Sequence, residues 1–399
     1  MIIKWEALQE YLYGIVHGKS KGMGSAFIRF SLYCLSLLYC LAVRISLGLY
    51  RVGLLHTEHL PCKVISLGNI TVGGTGKTPT AQELAMAIRD AGYKVAILNR
   101  GYRAQSKETV GVVSDGKTIY MTAEEAGDEA YLLAKKLPGV PVLIGKHRAV
   151  TGRYAAEKFG VDAVILDDGY QHWRLYRDMD IVLVDATNTF GNNYVLPRGT
   201  LREPLKNLQR AHAFLLTKVD QTDDGAKEEL KRIISAINPR AVIAESVHDP
   251  KYLYRLEQWF NRTAESQPGA PDIAGRHLLT FCGIGNPQSF ENTLCGMGAI
   301  CTSSIRYPDH HKYTLEDMHY IMQQALAYEV DYIVTTEKDA VKIPPGFIRD
   351  VDWPVPMLIL GIEVKMTVGR EELIQLVHNT VKKAGDLPLP SPVDKNWSM

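Results

Sequence analysis

The sequence predicts an α/β protein with a doubly wound, mostly parallel sheet, followed by a second, smaller α/β domain. Short apolar runs, which indicate buried strands, alternate with segments of helical spacing from residue 63 to residue 244. The alternation begins again at residue 277, after a polar segment over residues 261–276 that is rich in Pro, Gly and Ala. We therefore divide the chain into an N-terminal amphipathic or membrane-anchoring segment (1–57), a main domain (58–258), a linker (259–276), a C-terminal domain (277–384) and a disordered tail (385–399).

The composition excludes several classes of protein. The chain has 399 residues, which is enough for two domains with substantial cores. Its formal net charge is only +1, so no overall charge favours binding to nucleic acid. The six cysteines include no C-x-x-C pair and no spacing with histidine that is typical of a metal site, which favours a reduced compartment.

An apolar stretch over residues 26–50 predicts a membrane-associated helix. Its uncharged core, residues 30–43, is fourteen residues long, whereas a membrane span needs about twenty. At helical spacing the polar side chains form one stripe, which favours a helix lying in the membrane interface with its arginines reaching the headgroups. A buried core helix and a tilted single span are the alternatives. Residues 1–17 predict a further short amphipathic helix, to which we assign no role. The stripe consists of Arg29, Ser36, Cys40, Arg44 and Arg51.

The strongest single motif is a glycine-rich loop between a strand and a helix. An apolar run over residues 63–67 precedes the segment GNITVGGTGKT, residues 68–78, and a helical pattern follows from Pro79. Closely spaced glycines let backbone N–H groups surround a phosphate, and the helix N-terminus adds partial positive charge. Lys77 can reach the β- and γ-phosphates and Thr78 can bind Mg²⁺. The alternative is a glycine turn with an incidental lysine. The predicted ATP-binding residues of this P-loop NTPase-like domain are Thr71, which stands where the usual pattern has glycine, Val72, Gly73, Gly74, Thr75, Gly76, Lys77 and Thr78.

Carboxylates at the end of another strand predict a metal site. The apolar run over residues 163–166 leads into Asp167 and Asp168, and two adjacent carboxylates are costly unless a cation is bound. Beside a phosphate loop, such a carboxylate holds Mg²⁺ directly or through water. Asp185, which ends the strand over residues 181–184, is a rival for this role, and a solvated loop start is the alternative for the pair.

Basic side chains follow several of the predicted strands. Arg100 comes after the strand over residues 94–98, and the loop over residues 196–205 contains two arginines, whose guanidinium groups match phosphate oxygens. The strand over residues 213–216 ends in the sequence TKVD, residues 217–220. This sequence is similar to the guanine-reading loop of GTPases, but a four-residue match is weak and we interpret it as a strand-end turn.

The second domain has no phosphate loop of its own, but it contains the polar loop Asp309-His310-His311. A kinase that acts on an alcohol needs a carboxylate to accept the hydroxyl proton, and a neighbouring histidine can orient that carboxylate. By spacing alone Asp128 is a helix cap, because it lies among acidic residues at a predicted helix start. Residues of the second domain can complete a site across an interdomain cleft whose closure excludes water from ATP.

Eight motifs in a fixed order resemble one family. The segments GNITVGGTGKTP, NRGYR, GDEA, DDGYQH, LPRGTLREPL, GIGNPQSF, YPDHH and TTEKDAVK occur in that order between residues 43 and 376. Together they are similar to tetraacyldisaccharide 4′-kinase, the LpxK family. The resemblance implies that ATP phosphorylates the 4′-hydroxyl of a tetraacyldisaccharide 1-phosphate, a lipid A precursor, to give lipid IVA. It also implies two α/β/α domains joined by a strand linker, and an enzyme held on the cytoplasmic face of the inner membrane by its N-terminal helix.

The resemblance further implies roles for individual residues. Asp128 and His310 match the family's catalytic aspartate and its partner histidine, with Lys77 as the phosphate-loop lysine. The cofactors implied are ATP and Mg²⁺, and the partners are the disaccharide lipid and the inner-membrane surface, with no nucleic acid and no obligate protein partner. Ala130 departs from the family, which often has proline there, and residues 1–20 lie outside the common pattern. The implied metal ligands are Thr78, Asp167 and Asp168, and the implied substrate contacts are Arg100, Gln171, His172, Arg198, Arg202 and Glu203.

Two other functions are compatible with these motifs. The first is a membrane-associated regulatory NTPase, because GGTGKT is similar to the loop of ParA/MinD-type ATPases. Their signature lysine falls at position 72, where this chain has Val72. The second is a membrane scaffold with a vestigial nucleotide site, which the presence of Lys77, Thr78 and the paired aspartates disfavours.

Overall fold

The computed structural model describes residues 22–72, 74–261, 271–344, 346–347 and 354–382, together with Gly14. The helix expected over residues 1–17 (apart from Gly14), Gly73 of the phosphate loop, residues 262–270 of the expected linker and the expected disordered tail lie outside the described residues.

The described strands form one continuous twelve-stranded sheet in the order β10-β9-β11-β12-β8-β7-β6-β1-β5-β2-β4-β3. Neighbouring strands are parallel at every position except β12–β8 and β3–β4. The mostly parallel α/β architecture expected from the sequence is therefore confirmed. The strands are β1 (Lys63–Asn69), β2 (Val95–Asn99), β3 (Gly111–Ser114), β4 (Val142–Ile144), β5 (Ala163–Asp167), β6 (Met179–Asp185), β7 (Ala213–Thr217), β8 (Val242–Arg255), β9 (His277–Cys282), β10 (Ile300–Arg306), β11 (Tyr332–Thr336) and β12 (Met357–Val368).

Helices cover both faces of this sheet. The described α-helices are α1 (Met23–Arg51), α2 (Lys77–Asp90), α3 (Ala123–Ala126), α4 (Asp128–Lys136), α5 (Arg148–Phe159), α6 (Asp224–Ile237), α7 (Leu256–Asn261), α8 (Pro287–Gly296), α9 (Leu315–Ala327), α10 (Glu337–Ala340) and α11 (Arg370–Val381).

We call β1–β7 with their helices the first lobe, and β9–β11 with α8–α10 the second lobe. In the first lobe α2, α4 and α11 bury apolar side chains such as Leu84 and Leu373 against one face of the sheet, and α5 and α6 cover the other face. In the second lobe α8 and α9 lie on opposite faces. The sequence division assigned residues up to 384 to the C-terminal domain, but α11 packs into the core of the first lobe because Leu373, Val377 and Val381 complete its apolar cluster.

The long strands β8 and β12 join the two lobes. The sequence predicted only residues 241–244 and 357–360 as strands here, since the later residues are less apolar and include Pro250. The pairing of β7, in the first lobe, with β8 ends at Glu245. The end of β11, in the second lobe, lies beside Leu360 of β12, which in turn pairs with Leu253 of β8.

This register determines where the cleft forms. Because β8 and β12 are antiparallel, the parallel strands of the two lobes run in opposite directions, and their carboxyl ends face each other. The span between them, from Glu245 to Leu253, is about 26 Å at about 3.3 Å per strand residue. Ligands of open α/β sheets bind at the carboxyl ends of strands, so the two edges create one cleft with two functional walls.

Helix α1 has one face on the first lobe and one face exposed. By length and composition it is long and apolar enough to cross a membrane. Phe30, Leu38 and Leu41 on its outer face are more than half exposed. Ser36 belongs to the polar stripe, and it is buried against residues 195–198. Only the arginines of the stripe were expected to reach lipid headgroups, and the hydroxyl of Ser36 instead satisfies backbone groups of the protein.

We expect the junction of the lobes to tolerate no side chain at Gly361. This residue lies in β12 opposite Tyr252 of β8, and a Cβ atom there would overlap the tyrosine ring. Gly361→Ala should lower the free energy of unfolding by about 1–3 kcal/mol, the usual cost of overpacking. Urea-induced unfolding followed by tryptophan fluorescence measures this change. Gly296→Ala is the matched control, because no atom lies within 4 Å of its added Cβ, and equal midpoints for the two variants would contradict the prediction.

Candidate active site

The phosphate loop lies at the carboxyl end of β1 and leads into α2. Gly76, with a φ of 81°, is the N-cap of α2, a left-handed conformation that favours glycine. The Nζ atom of Lys77 lies 3.4 Å from Oδ1 of Asn69 and 3.6 Å from Oδ1 of Asp168. The lysine is thus held at the mouth of the loop, beside the carboxylate of the neighbouring strand end.

The TKVD segment, residues 217–220, holds the phosphate loop through two hydrogen bonds to its backbone. The hydroxyl of Thr217 donates to the carbonyl of Thr75, and Nζ of Lys218 donates to the carbonyl of Gly74. Lys218 is buried and forms an ion pair with Asp185. Asp185, the rival for the metal site, is therefore occupied by this lysine. The strand-end turn has a structural role that its four residues did not reveal in the sequence.

Asp167 and Asp168 have different environments although they are adjacent. One oxygen of Asp167 accepts a hydrogen bond of 2.8 Å from the side chain of Asn99, and the other, Oδ1, is buried with no partner among the described residues. Burial, with the negative charges of Glu129 and Asp168, raises the pKa of Asp167 to about 6. Such an orphaned carboxylate oxygen is suited to a cation.

The carboxylate of Asp168 faces two positive groups. The backbone of Asp168 has a φ of 57°, in the left-handed region, so the chain leaves the extended conformation of β5 at this residue. Nη1 of Arg202 lies 2.9 and 3.0 Å from its two oxygens. Burial opposes ionisation, but the charges of Lys77 and Arg202 outweigh it and hold the pKa of Asp168 below its usual value. Asp168 is therefore an anion at neutral pH.

The side-chain oxygens of Thr78, Asp167 and Asp168 fit Mg²⁺. Carboxylate and hydroxyl oxygens are the hard ligands that this ion prefers, and Thr78 lines the same cavity as both aspartates. No group of three or more His, Cys, Asp or Glu side chains in the described part of the chain could enclose a metal without further ligands. The arrangement therefore suits a Mg²⁺ ion that a nucleotide's phosphates help to hold.

Asp128 and His310 meet across the two lobes. Asp128 is the first residue of α4, as its spacing indicated, and Nδ1 of His310 lies 2.8 Å from its Oδ2. The other oxygen accepts a hydrogen bond from the backbone of Glu129. His310 has a φ of 61° and lines the cavity, whereas Asp128 lies directly behind it and is only 9 % exposed.

Lys338 of the second lobe completes this group, and the sequence analysis did not identify it. Its Nζ lies 3.1 Å from Glu129, 3.3 Å from Asp309 and 3.4 Å from Nε2 of His310. Burial raises the pKa of Asp128, but the hydrogen bond from His310 and the charge of Lys338 outweigh it, so the net pKa lies below its usual value. Lys338 belongs to the TTEKDAVK segment, residues 335–342. Its two lysines and two carboxylates, close together after a predicted strand, were the feature of the sequence that could have indicated a functional residue here.

A cavity of about 640 Å³ connects these groups. The phosphate loop and both strand-end aspartates form one wall, and residues 284–286, 309–310 and 336–338 form the other. The lobes approach closely at Gly285, where an added Cβ would lie 3.3 Å from the backbone nitrogen of Gly74. His248, from the span of β8 between the lobes, also lines the cavity, and burial and the charge of Lys218 lower its pKa to about 4.

The predicted substrate contacts separate into two groups. Arg100 and Arg202 line the cavity, and Gln171 donates to the carbonyl of Asn69 beside it. His172 is part-buried, and burial with the charges of nearby arginines lowers its pKa to about 4.

The remaining two predicted contacts lie elsewhere. Glu203 is fully buried, and its carboxylate binds Arg210 and Asn207. Arg198 packs its guanidinium 4.8 Å from the ring centre of Tyr194. The structure does not bring either side chain to the cavity.

Comparison with known proteins identifies the family of this chain. The sequence model of the family LpxK, described as tetraacyldisaccharide-1-P 4′-kinase, matches residues 28–382. A tetraacyldisaccharide 4′-kinase of Halothermothrix orenii is 35% identical over 377 residues, which are 93% of this chain and 97% of that protein. One of Syntrophus aciditrophicus is 39% identical over 345 residues, 85% of this chain and 90% of that protein.

A solved structure is also similar over most of the chain. It is the "apo" form of LpxK from Aquifex aeolicus in complex with ATP, with a TM-score of 0.68 and 31% sequence identity. The match covers 89% of this chain and all of that one. The chain therefore belongs to the LpxK family of tetraacyldisaccharide-1-phosphate 4′-kinases.

Proposed function

We propose that this protein is an ATP-dependent kinase that transfers the γ-phosphate of ATP to the 4′-hydroxyl of a tetraacyldisaccharide 1-phosphate, forming lipid IVA. The observation that carries the proposal is the hydrogen bond between Asp128 of the first lobe and His310 of the second, because His310 lines the same cavity as the phosphate loop in a chain that matches the LpxK family over residues 28–382. Phosphoryl transfer to an alcohol uses a carboxylate that accepts the hydroxyl proton, and a neighbouring histidine can orient that carboxylate.

The first chemical step is removal of the hydroxyl proton. Asp128 is the base, since its lowered pKa keeps it deprotonated at neutral pH. His310 orients the carboxylate through the hydrogen bond at Nδ1 and presents the pair at the cavity wall. The sugar oxygen then attacks the γ-phosphorus in line, and the bond between the γ-phosphorus and the β,γ-bridging oxygen breaks as ADP leaves.

Charge on the transferring phosphoryl group is stabilised from the first lobe. Lys77 and the backbone N–H groups of the phosphate loop bind the β- and γ-phosphate oxygens. Thr78, Asp167 and Asp168 are the residues that would hold Mg²⁺, which when bound neutralises phosphate charge and aligns the phosphates. Arg202 keeps Asp168 ionised and oriented for this purpose.

Basic side chains at the cavity are suited to the lipid acceptor. Arg100 and Arg202 line the cavity and supply guanidinium groups that match the anionic headgroup, and Gln171 accepts a hydrogen bond from Arg202. The exposed apolar face of α1 is suited to the cytoplasmic surface of the inner membrane, where the acyl chains stay in the lipid. The regulatory-NTPase alternative has no comparable support, because the family match extends over both lobes and the anchor helix.

The first prediction from the proposed function concerns the reaction itself. In detergent micelles, wild-type protein should transfer label from [γ-³²P]ATP to tetraacyldisaccharide 1-phosphate, and Lys77→Ala should lose this transfer because phosphate charge is no longer neutralised. Thin-layer chromatography of the lipid product measures it. Lys158→Ala, on the exposed surface of α5, is the control and should retain activity. Hydrolysis of ATP with no labelled lipid would instead support the regulatory NTPase.

Loss of the base is the second prediction. Asp128→Asn keeps the shape of the side chain but cannot accept a proton, so kcat should fall by at least about a hundredfold. Steady-state kinetics measure the change, and Glu124→Gln, at an exposed carboxylate four residues earlier, should be close to wild type. Near-normal turnover in Asp128→Asn would remove this residue as the base.

The third prediction concerns pH. The positive charge of Lys338 lowers the pKa of Asp128 against the effect of burial. In Lys338→Met that charge is absent, so the pKa of Asp128 rises and a smaller fraction is deprotonated in acid. The acidic limb of the kcat/KM profile should therefore move to higher pH. Lys338→Arg keeps the charge and should shift the limb less, and identical profiles for Lys338→Met and wild type would contradict the prediction.

A further inference from the structure

The anchor helix makes specific polar contacts with residues 195–202, which we call the strap. The hydroxyl of Ser36 donates to the carbonyl of Val195 at 2.8 Å and accepts from the backbone nitrogen of Arg198 at 2.9 Å. The hydroxyl of Tyr39 donates to the carbonyl of Arg202 at 2.9 Å. Ser36 is 3 % exposed. A helix that served only as an apolar anchor would not need these contacts.

The strap in turn is bonded to the start of the phosphate loop. The backbone nitrogen of Arg202 donates to the carbonyl of Ile70 at 2.7 Å, and that of Val72 donates to the carbonyl of Thr200 at 2.9 Å. Leu201 and Thr71 form an antiparallel bridge between these two bonds. Residues 200–202 of the strap therefore pair with residues 70–72 as in a short antiparallel sheet and hold them in place.

One residue of the strap also reaches the metal site. Arg202 accepts from Tyr39 through its carbonyl while its guanidinium holds both oxygens of Asp168. A displacement of the strap would therefore move the phosphate loop and the carboxylate of Asp168 together. Backbone pairing and a two-point contact to a carboxylate both depend steeply on distance and angle, so a small displacement is enough to weaken them.

We propose that Ser36 and Tyr39 are positioning residues for the nucleotide site. Acting through the strap, they hold residues 70–72 and Asp168 in the arrangement that binds Mg²⁺-nucleotide, so the seat of α1 on the first lobe sets the affinity of the ATP site. The proposal rests on the proposed kinase function only where it implies that weaker nucleotide binding also slows phosphate transfer. Nucleotide affinity tests it without any acceptor.

The test uses the full chain with Ser36→Ala and Tyr39→Phe combined. We expect the dissociation constant of Mg²⁺ with a fluorescent ATP analogue, measured by titration, to rise at least about threefold, as expected for loss of hydrogen bonds that order a site. Sedimentation with phosphatidylethanolamine–phosphatidylglycerol vesicles should be unchanged, because the outer apolar face, including Phe30, Leu38 and Leu41, is intact.

The helix offers a matched control in Ser31→Ala combined with Tyr33→Phe. Ser31 donates only to the carbonyl of Phe27 in its own helix, and Tyr33 contacts Tyr194 through its ring, which phenylalanine retains. This control should bind nucleotide and vesicles like wild type. If the double variant at Ser36 and Tyr39 unfolds at lower temperature, Tyr39→Phe alone, which removes one hydroxyl, repeats the measurement and should still weaken nucleotide binding.

Unchanged nucleotide affinity in both the double variant and Tyr39→Phe would overturn the proposal. Weaker nucleotide binding that appears equally in the control pair would also overturn it, since the effect would then come from the helix in general. Weaker nucleotide binding with no lipid product even from wild type would support the positioning role, while it would reject the proposed acceptor.

Discussion

The antiparallel pairing of β8 with β12 is the constraint on which the rest of the structure depends. Two parallel sheets joined by a parallel strand would place their carboxyl ends on the same edge. The antiparallel junction instead turns the two edges towards each other, and the span from Glu245 to Leu253 separates them. Residues that follow β1 and β5 on one side can therefore meet residues that follow β10 and β11 on the other.

This geometry explains the distribution of charge in the cleft. The first lobe contributes the phosphate loop and the carboxylates of Asp167 and Asp168, and the second lobe contributes His310 and Lys338. Each anion that is buried here has a cation or a donor nearby, except Oδ1 of Asp167. An unpaired buried carboxylate oxygen is costly, so Oδ1 of Asp167, which has no partner among the described residues, is a position that a bound cation would satisfy.

The sequence predicted local structure well and long-range pairing poorly. The strand before the phosphate loop and the strand before Asp167 were identified because each is a short apolar run with a distinct end. The extensions of β8 and β12 were missed, since half-exposed strands at a junction carry charges and a proline. Spacing identified Asp128 only as a helix start. Its partner His310 lies 182 positions further along the chain, and without the family resemblance no local pattern indicates the pairing.

The same limit applies at the edges of the site. The family resemblance implied that the loop arginines and Glu203 contact the substrate, and in the structure Arg202 reaches Asp168, whereas Glu203 turns into the core to hold Arg210. Alternate residues of an extended segment point to opposite sides, so neighbours in such a loop seldom share one ligand. Ser36 follows the same logic on a helix. A polar residue on an apolar helix indicates that one face has a partner, but only the fold shows whether that partner is a lipid headgroup or the backbone of a loop 159 positions away.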